Sequence, residues 1–241
     1  MLRGITLIAA GLGAPAWAHG AMPDMGHDMG GQAFTKVMLD RVEVRHAGDS
    51  ERLLWDAEGW HGGDISKLRL KTEGETDLDS GRVEEAEFQA LYSRAVTPFF
   101  DLNMGLRQDI RPNPDRTHLV LGLEGLAPYW FELDGNLFLS HKGDLTGRIE
   151  AEYELLFTQR LILQPRAELA FSAQGVPELG LGSGVTSLDL GLRLRYEIVR
   201  EYAPYIGLSW QKQFGATADF SRAAGEDADA LTVLAGLRIW F

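Results

Sequence analysis

Ser187-Leu-Asp-Leu-Gly-Leu-Arg-Leu-Arg-Tyr-Glu-Ile198 decides how this chain folds. Side chains of an extended strand point alternately to opposite faces. Leu188, Leu190, Leu192, Leu194, Tyr196 and Ile198 therefore share one face, and Asp189, Gly191, Arg193, Arg195 and Glu197 share the other. A soluble β-sandwich with this alternation hides the apolar face between two sheets. A transmembrane barrel inverts it, turning the apolar face to lipid and lining the lumen with charge.

The pattern recurs about every ten residues and predicts twelve strands. They run over Met38–His46, Arg52–His61, Ser66–Glu75, Val83–Ser93, Phe99–Ile110, Thr117–Ala127, Trp130–Ser140, Gly147–Phe157, Arg160–Ser172, Ser187–Val199, Ala203–Phe214 and Ala230–Phe241. Short Gly, Asp, Asn, Pro and Ser clusters separate most of them, as turn chemistry requires. Two connections are long, Ala173–Thr186 and Gly215–Asp229, as at the external rim of a membrane barrel.

Parity assigns Glu85, Glu87, Asp101, Arg107, Asp109, Glu124, Glu132, Asp134, Arg148, Glu150, Glu152 and Glu154 to the interior. Arg166, Glu168, Asp189, Arg193, Arg195, Glu197 and Arg238 join them. The opposite rows of the later strands are nearly free of charge, for example Leu161, Leu163, Ala167, Leu169 and Phe171, or Leu231, Val233, Ala235, Leu237 and Ile239. A charge facing lipid at the bilayer midplane costs about 2–4 kcal/mol, so a membrane would enforce this sorting. Tyr129, Trp130, Tyr202, Tyr205, Trp210, Trp240 and Phe241 fall near strand ends, where interfacial aromatic girdles sit. Pro165 stands in an apolar row and must forgo a ladder bond or mark a bulge. The first strands are less regular: Trp55, Ala57, Gly59 and His61 make a poor lipid-facing row. The expectation is an all-β, transmembrane antiparallel barrel of twelve strands with a narrow, polar, largely plugged lumen.

Bulk properties agree. The 241 residues suit one large β domain, and no apolar run is long enough for a spanning helix. The net charge of −12, with no basic stripe, argues against nucleic acid and favours cations. The absence of cysteine excludes disulfides and thiolate metal sites. Residues 1–18 read as a signal peptide: Arg3, an apolar Ile5–Leu12 core, and the small-x-small site Ala16-Trp17-Ala18. An exported chain would then begin at His19. Residues 19–34 read as a flexible tail and residues 35–241 as an outer-membrane barrel, with lipid as its surroundings and the tail in the periplasm.

That tail carries His19, Met22, Met25, His27 and Met29. Thioether sulfur is soft and selects Cu(I), whereas imidazole suits copper in either oxidation state. Met22-x-x-Met25 puts two sulfurs within reach of one ion, with His27 beside them. The free amine and ring of His19 form a possible chelate for Cu(II). His118 has inward parity and is a candidate lumen ligand. His46, His61 and His141 sit at strand ends or turns, and Met104 sits in a lipid-facing row. No G-x-S-x-G or H-E-x-x-H motif occurs. Ser140-His141 with Asp144 occupies a tight turn, and no enzyme is expected. The competing reading is a general or structural porin with an incidental Met tail.

Several segments resemble one family, the outer-membrane copper resistance protein B of Gram-negative bacteria. They are Trp55-Asp-Ala-Glu-Gly-Trp60, Leu91-Tyr-Ser-Arg94, Gly125-Leu-Ala-Pro-Tyr-Trp-Phe131, Thr158-Gln-Arg-Leu-Ile-Leu-Gln-Pro-Arg166, Gly191-Leu-Arg-Leu-Arg-Tyr-Glu197, Ala203-Pro-Tyr205 and the closing Trp240-Phe241. The resemblance implies copper binding, copper tolerance, and partners among periplasmic copper carriers or oxidases. Family members often have a longer Met- and His-rich N-terminal region. A tail this short suits capture or hand-over of single ions better than storage.

Overall fold

The computed structural model describes residues 33–48, 50–111 and 113–241. The proposed signal segment and His19, Met22, Met25, His27 and Met29 lie outside the described residues. Thirteen strand segments follow one another: β1 Phe34–Ala47, β2 Ser50–Gly62, β3 Ser66–Asp77, β4 Val83–Ala95, β5 Phe100–Arg111, β6 Arg116–Ala127, β7 Phe131–Ser140, β8 Leu145–Glu152, β9 Leu155–Leu156, β10 Leu161–Ser172, β11 Gly184–Tyr196, β12 Tyr202–Gln213 and β13 Asp229–Trp240. Each pairs antiparallel with its neighbour, and β13 pairs with β1, so the sheet closes. β8 and β9 are two pieces of one stave beside β10, which makes twelve staves.

The faces sort as an inverted core. Leu190 and Leu192 are 41% and 44% exposed, whereas Arg193 and Arg195, which follow them with opposite parity, are 2% and 3% exposed. Greasy side chains line the outside and guanidinium groups the inside, which excludes the sandwich. No described helix is long and apolar enough to cross a membrane, so strands must do it.

Four local departures from the sequence pattern have physical causes. The stave expected over Gly147–Phe157 breaks between Glu152 and Leu155 opposite Pro165. Proline has no N–H to offer, and the ladder is reduced there to Tyr153 N–H donating to the Pro165 carbonyl at 3.1 Å. In β1 the pairing slips around Asp40. Such a bulge lets consecutive residues share a face, and Met38, Asp40 and Arg41 all line the interior. This bulge makes the first strands look irregular in sequence.

The third departure corrects the girdle. Tyr205 is 6% exposed and faces inward, opposite Gly236. The missing side chain of Gly236 leaves room for the ring to lie across the strand, and the phenol donates to Glu43 Oε1 at 3.2 Å. By contrast Tyr129 and Trp130 project from the β6–β7 turn, 83% and 74% exposed. The fourth concerns the two long connections, which are not plain loops. The first holds a 3-10 turn, Pro177–Leu179, and the second holds helix α1, Gly215–Ala224.

Candidate metal-handling interior

Both chain ends of the barrel lie at one mouth: Val37 and Phe241 exchange backbone hydrogen bonds of 3.1 and 2.8 Å. A cavity of about 390 Å³ occupies the lumen toward this mouth, reaching Met38, Leu126, Glu132 and Glu152 near the ends of their strands. Ten carboxylate side chains line it, against the three bases Arg41, Lys71 and Arg148. Low-dielectric walls focus a field of this sign, so the cavity concentrates cations and repels anions. Met38 adds one soft donor to an otherwise hard oxygen lining.

Ion pairs cross the lumen, many of them among the residues that line the cavity. Arg148 on β8 reaches over to Glu73 on β3 at 2.8 Å and to Glu87 on β4 at 3.2 Å. Arg41 on β1 holds Asp56 at 2.7 Å and the same Glu73 at 3.0 Å. Arg69 and Lys71 converge on Glu124, and Lys71 also lies 3.3 Å from Asp134. Arg193 bonds Glu43 at 2.6 Å, and Arg195 reaches past β10 to bond Glu154, in the break of the β8–β9 stave, at 2.6 Å. Lone buried charges are costly, and each of these arginines is matched by carboxylates from other staves.

The interior is not purely ionic. Leu91, Val120 and Phe138 form a buried apolar cluster inside the barrel, and the Arg107 guanidinium stacks 4.5 Å from the Phe138 ring centre. Together with the Arg148 bridges this cluster narrows the passage.

His118, the candidate lumen ligand, does face inward and is 5% exposed. Its surroundings are poor for a cation. Arg107 is its cross-strand neighbour, Arg116 is two residues away, and the Phe138 ring stands edge-on at 6.3 Å. Asp109 offers a carboxylate 3.6 Å from Nδ1. Among the described residues no group of three or more His, Asp or Glu is arranged to hold a metal ion. His61 hydrogen-bonds Thr35 at 2.8 Å, and His141 accepts from the Thr117 N–H at 3.2 Å, so both are satisfied polar residues. Sequence reasoning missed Met38. Its parity is opposite to Arg41 and Glu43, and only the bulge puts all three on one face.

The other mouth carries the long connections. The segment 173–183 leaves β10 and turns back on itself through paired backbone bonds between Val176 and Leu181 of 2.8 and 3.1 Å. Glu178 at its tip meets Arg116 on β6 and Lys142 in the β7–β8 turn, each at 3.0 Å. The hydrogen bond and charge of Lys142, reinforced by Arg116, hold the Glu178 carboxyl below the usual carboxylate range.

A closed β-barrel, apolar outside, ionic inside and with short turns around its chain ends, defines an outer-membrane barrel with an acidic interior cavity. The solved structure of the NanC porin shares the architecture, with a TM-score of 0.54 at 9% identity over 86% of this chain and 99% of that one, a likeness of fold alone. The chain belongs to the copper resistance protein B family: residues 33–241 match the family described as "Copper resistance protein B precursor (CopB)". A copper resistance protein B of Escherichia coli is 44% identical over 205 residues, 85% of this chain and 69% of its own length. A copper resistance protein B homolog of Pseudomonas syringae pv. tomato is 41% identical over 217 residues, 90% of this chain and 73% of its own length. Membership ties this outer-membrane barrel to copper resistance.

Proposed function

We propose that the chain is a non-catalytic copper-handling barrel. In this reading the N-terminal tail lies in the periplasm and captures copper through Met22, Met25, His27 and Met29, with His19 as a Cu(II) chelate. It passes the ion to the acidic cavity, where Met38 is the first soft donor. The ion is cargo, supplied or removed by periplasmic carriers or oxidases. The observation that carries the reading is that the first strand enters the barrel at the mouth toward which the cavity lies. β1 begins at Phe34, at the mouth toward which the cavity lies, and Met38 of that strand lines the cavity. Phe34 is five residues along the chain from Met29, a reach of at most about 18 Å for an extended chain.

The ion pairs that cross the lumen speak against a general porin, whose interior must stay open to solutes. The test is removal of residues 19–31 from the mature protein, followed by metal analysis and copper-loaded spectroscopy. Copper bound per chain should fall and sulfur ligation should disappear. Unchanged stoichiometry after truncation would remove the tail from the function.

A further inference from the structure

The segment 173–183 leans from β10 over the mouth opposite the chain ends, and an ionic contact fastens it. Arg116 belongs to the inward row of β6 and is 2% exposed, yet Glu178 of the strap reaches it at 3.0 Å. β6 lies three staves from β10 in the wall. The strap runs past the β7–β8 turn and meets, at the lumen rim, the Arg116 side chain, which also reaches Asp144 of that turn. Lys142 grips the same carboxylate at 3.0 Å, and the Gln174 side chain donates to the Gly143 carbonyl at 2.9 Å. From the other side, Thr217 of α1 accepts the Gly182 N–H at 2.9 Å in a buried contact. Val176, 5% exposed, is the strap's own anchor.

We infer that this strap is a latched gate on the external mouth, and that Glu178 is the latch. The inference uses the orientation proposed above but not the copper reading. The design separates the latch from the wall. Arg116 keeps a second partner, Asp144, at 2.8 Å, and Asp144 accepts from Ser140 Oγ at 3.0 Å. Losing Glu178 therefore leaves the buried guanidinium paired and the β7–β8 turn intact. Glu178 itself is well exposed, with 61% of its side chain open to solvent. Exposed ion pairs are individually weak, which suits a contact that has to open.

Planar-bilayer recording of the full mature protein in potassium chloride, without copper, tests the gate. Glu178→Gln should raise the open fraction roughly 2- to 10-fold, the range that two weak ion pairs support. The chain has no cysteine, so Lys142→Cys with Glu178→Cys provides a unique thiol pair. Joining that pair with a short bis-maleimide should return the current to the wild-type level or below it. Equal currents in wild type and Glu178→Gln, including no current in either, would overturn the gate. So would a cross-linked pair that conducts like Glu178→Gln. The experiment contains no copper, so its failure is distinct from failure of the tail.

Discussion

Arg148 shows how much rests on one side chain inside this barrel. It spans the lumen to Glu73 and Glu87, and Arg41 and Arg107 share those two carboxylates. Removing one member of a buried ionic set leaves the others uncompensated, which costs about 3–5 kcal/mol. Arg148→Gln should therefore lower the unfolding free energy of the detergent-solubilised protein by about that much, seen as a lower denaturant midpoint at unchanged slope. A midpoint equal to wild type would mean that lumen water already screens these charges. Alternation alone assigned Arg148, Arg193 and Glu124 to the interior, and they are there. Tyr205 was not legible in the same way. An aromatic near a strand end suits a lipid interface and a lumen equally well. Gly236 on the neighbouring strand decides between them by giving the ring a place to lie.

At the scale of the element, the strands were legible and their irregularities were not. β11 is a clean alternation, and its Leu192 faces outward at 44% exposure. Leu192→Arg should destabilise the barrel by about 2–4 kcal/mol in a bilayer if the residue lies near midplane. Urea titration in lipid vesicles measures this, and a neutral result would contradict the lipid-facing assignment. β1 and the β8–β9 stave were harder. A bulge at Asp40 and a break opposite Pro165 depend on what the neighbouring strand offers, and a one-strand pattern does not contain its neighbour. The same holds for α1 and the 3-10 turn. Their segments have no strand period; α1 packs against β11, and its Thr217 accepts the Gly182 N–H of the segment that holds the 3-10 turn.

For the whole molecule, the acidic cavity makes a prediction about charge. Any current the reconstituted barrel carries should prefer cations over anions, because ten carboxylates face three bases at one end of the path. The reversal potential across a potassium chloride gradient reads this directly, and anion preference would contradict the focusing argument. The candidate site divides along the same line. The Met and His residues of the tail were visible as a composition in sequence. The cavity was visible only as a surplus of inward carboxylates. His118 was placed inward correctly by parity, but its arginine neighbours, which disfavour a cation, come from the cross-strand pairing and the local chain.

The sequence by itself determined the architecture. A two-residue period of grease and charge, repeated through most of the strands, leaves lipid outside and ions inside as the stable arrangement for so many exposed leucines and buried arginines. It also determined the family, through segments that generic barrel patterning does not require. Tertiary structure alone decided which charges meet, where the lumen widens into an acidic cavity, and how segment 173–183 reaches Arg116. These depend on strand register and closure, which bring residues more than a hundred positions apart, such as Glu43 and Arg193, within 2.6 Å. Alternation fixes which way a side chain points but carries no record of what stands across the barrel.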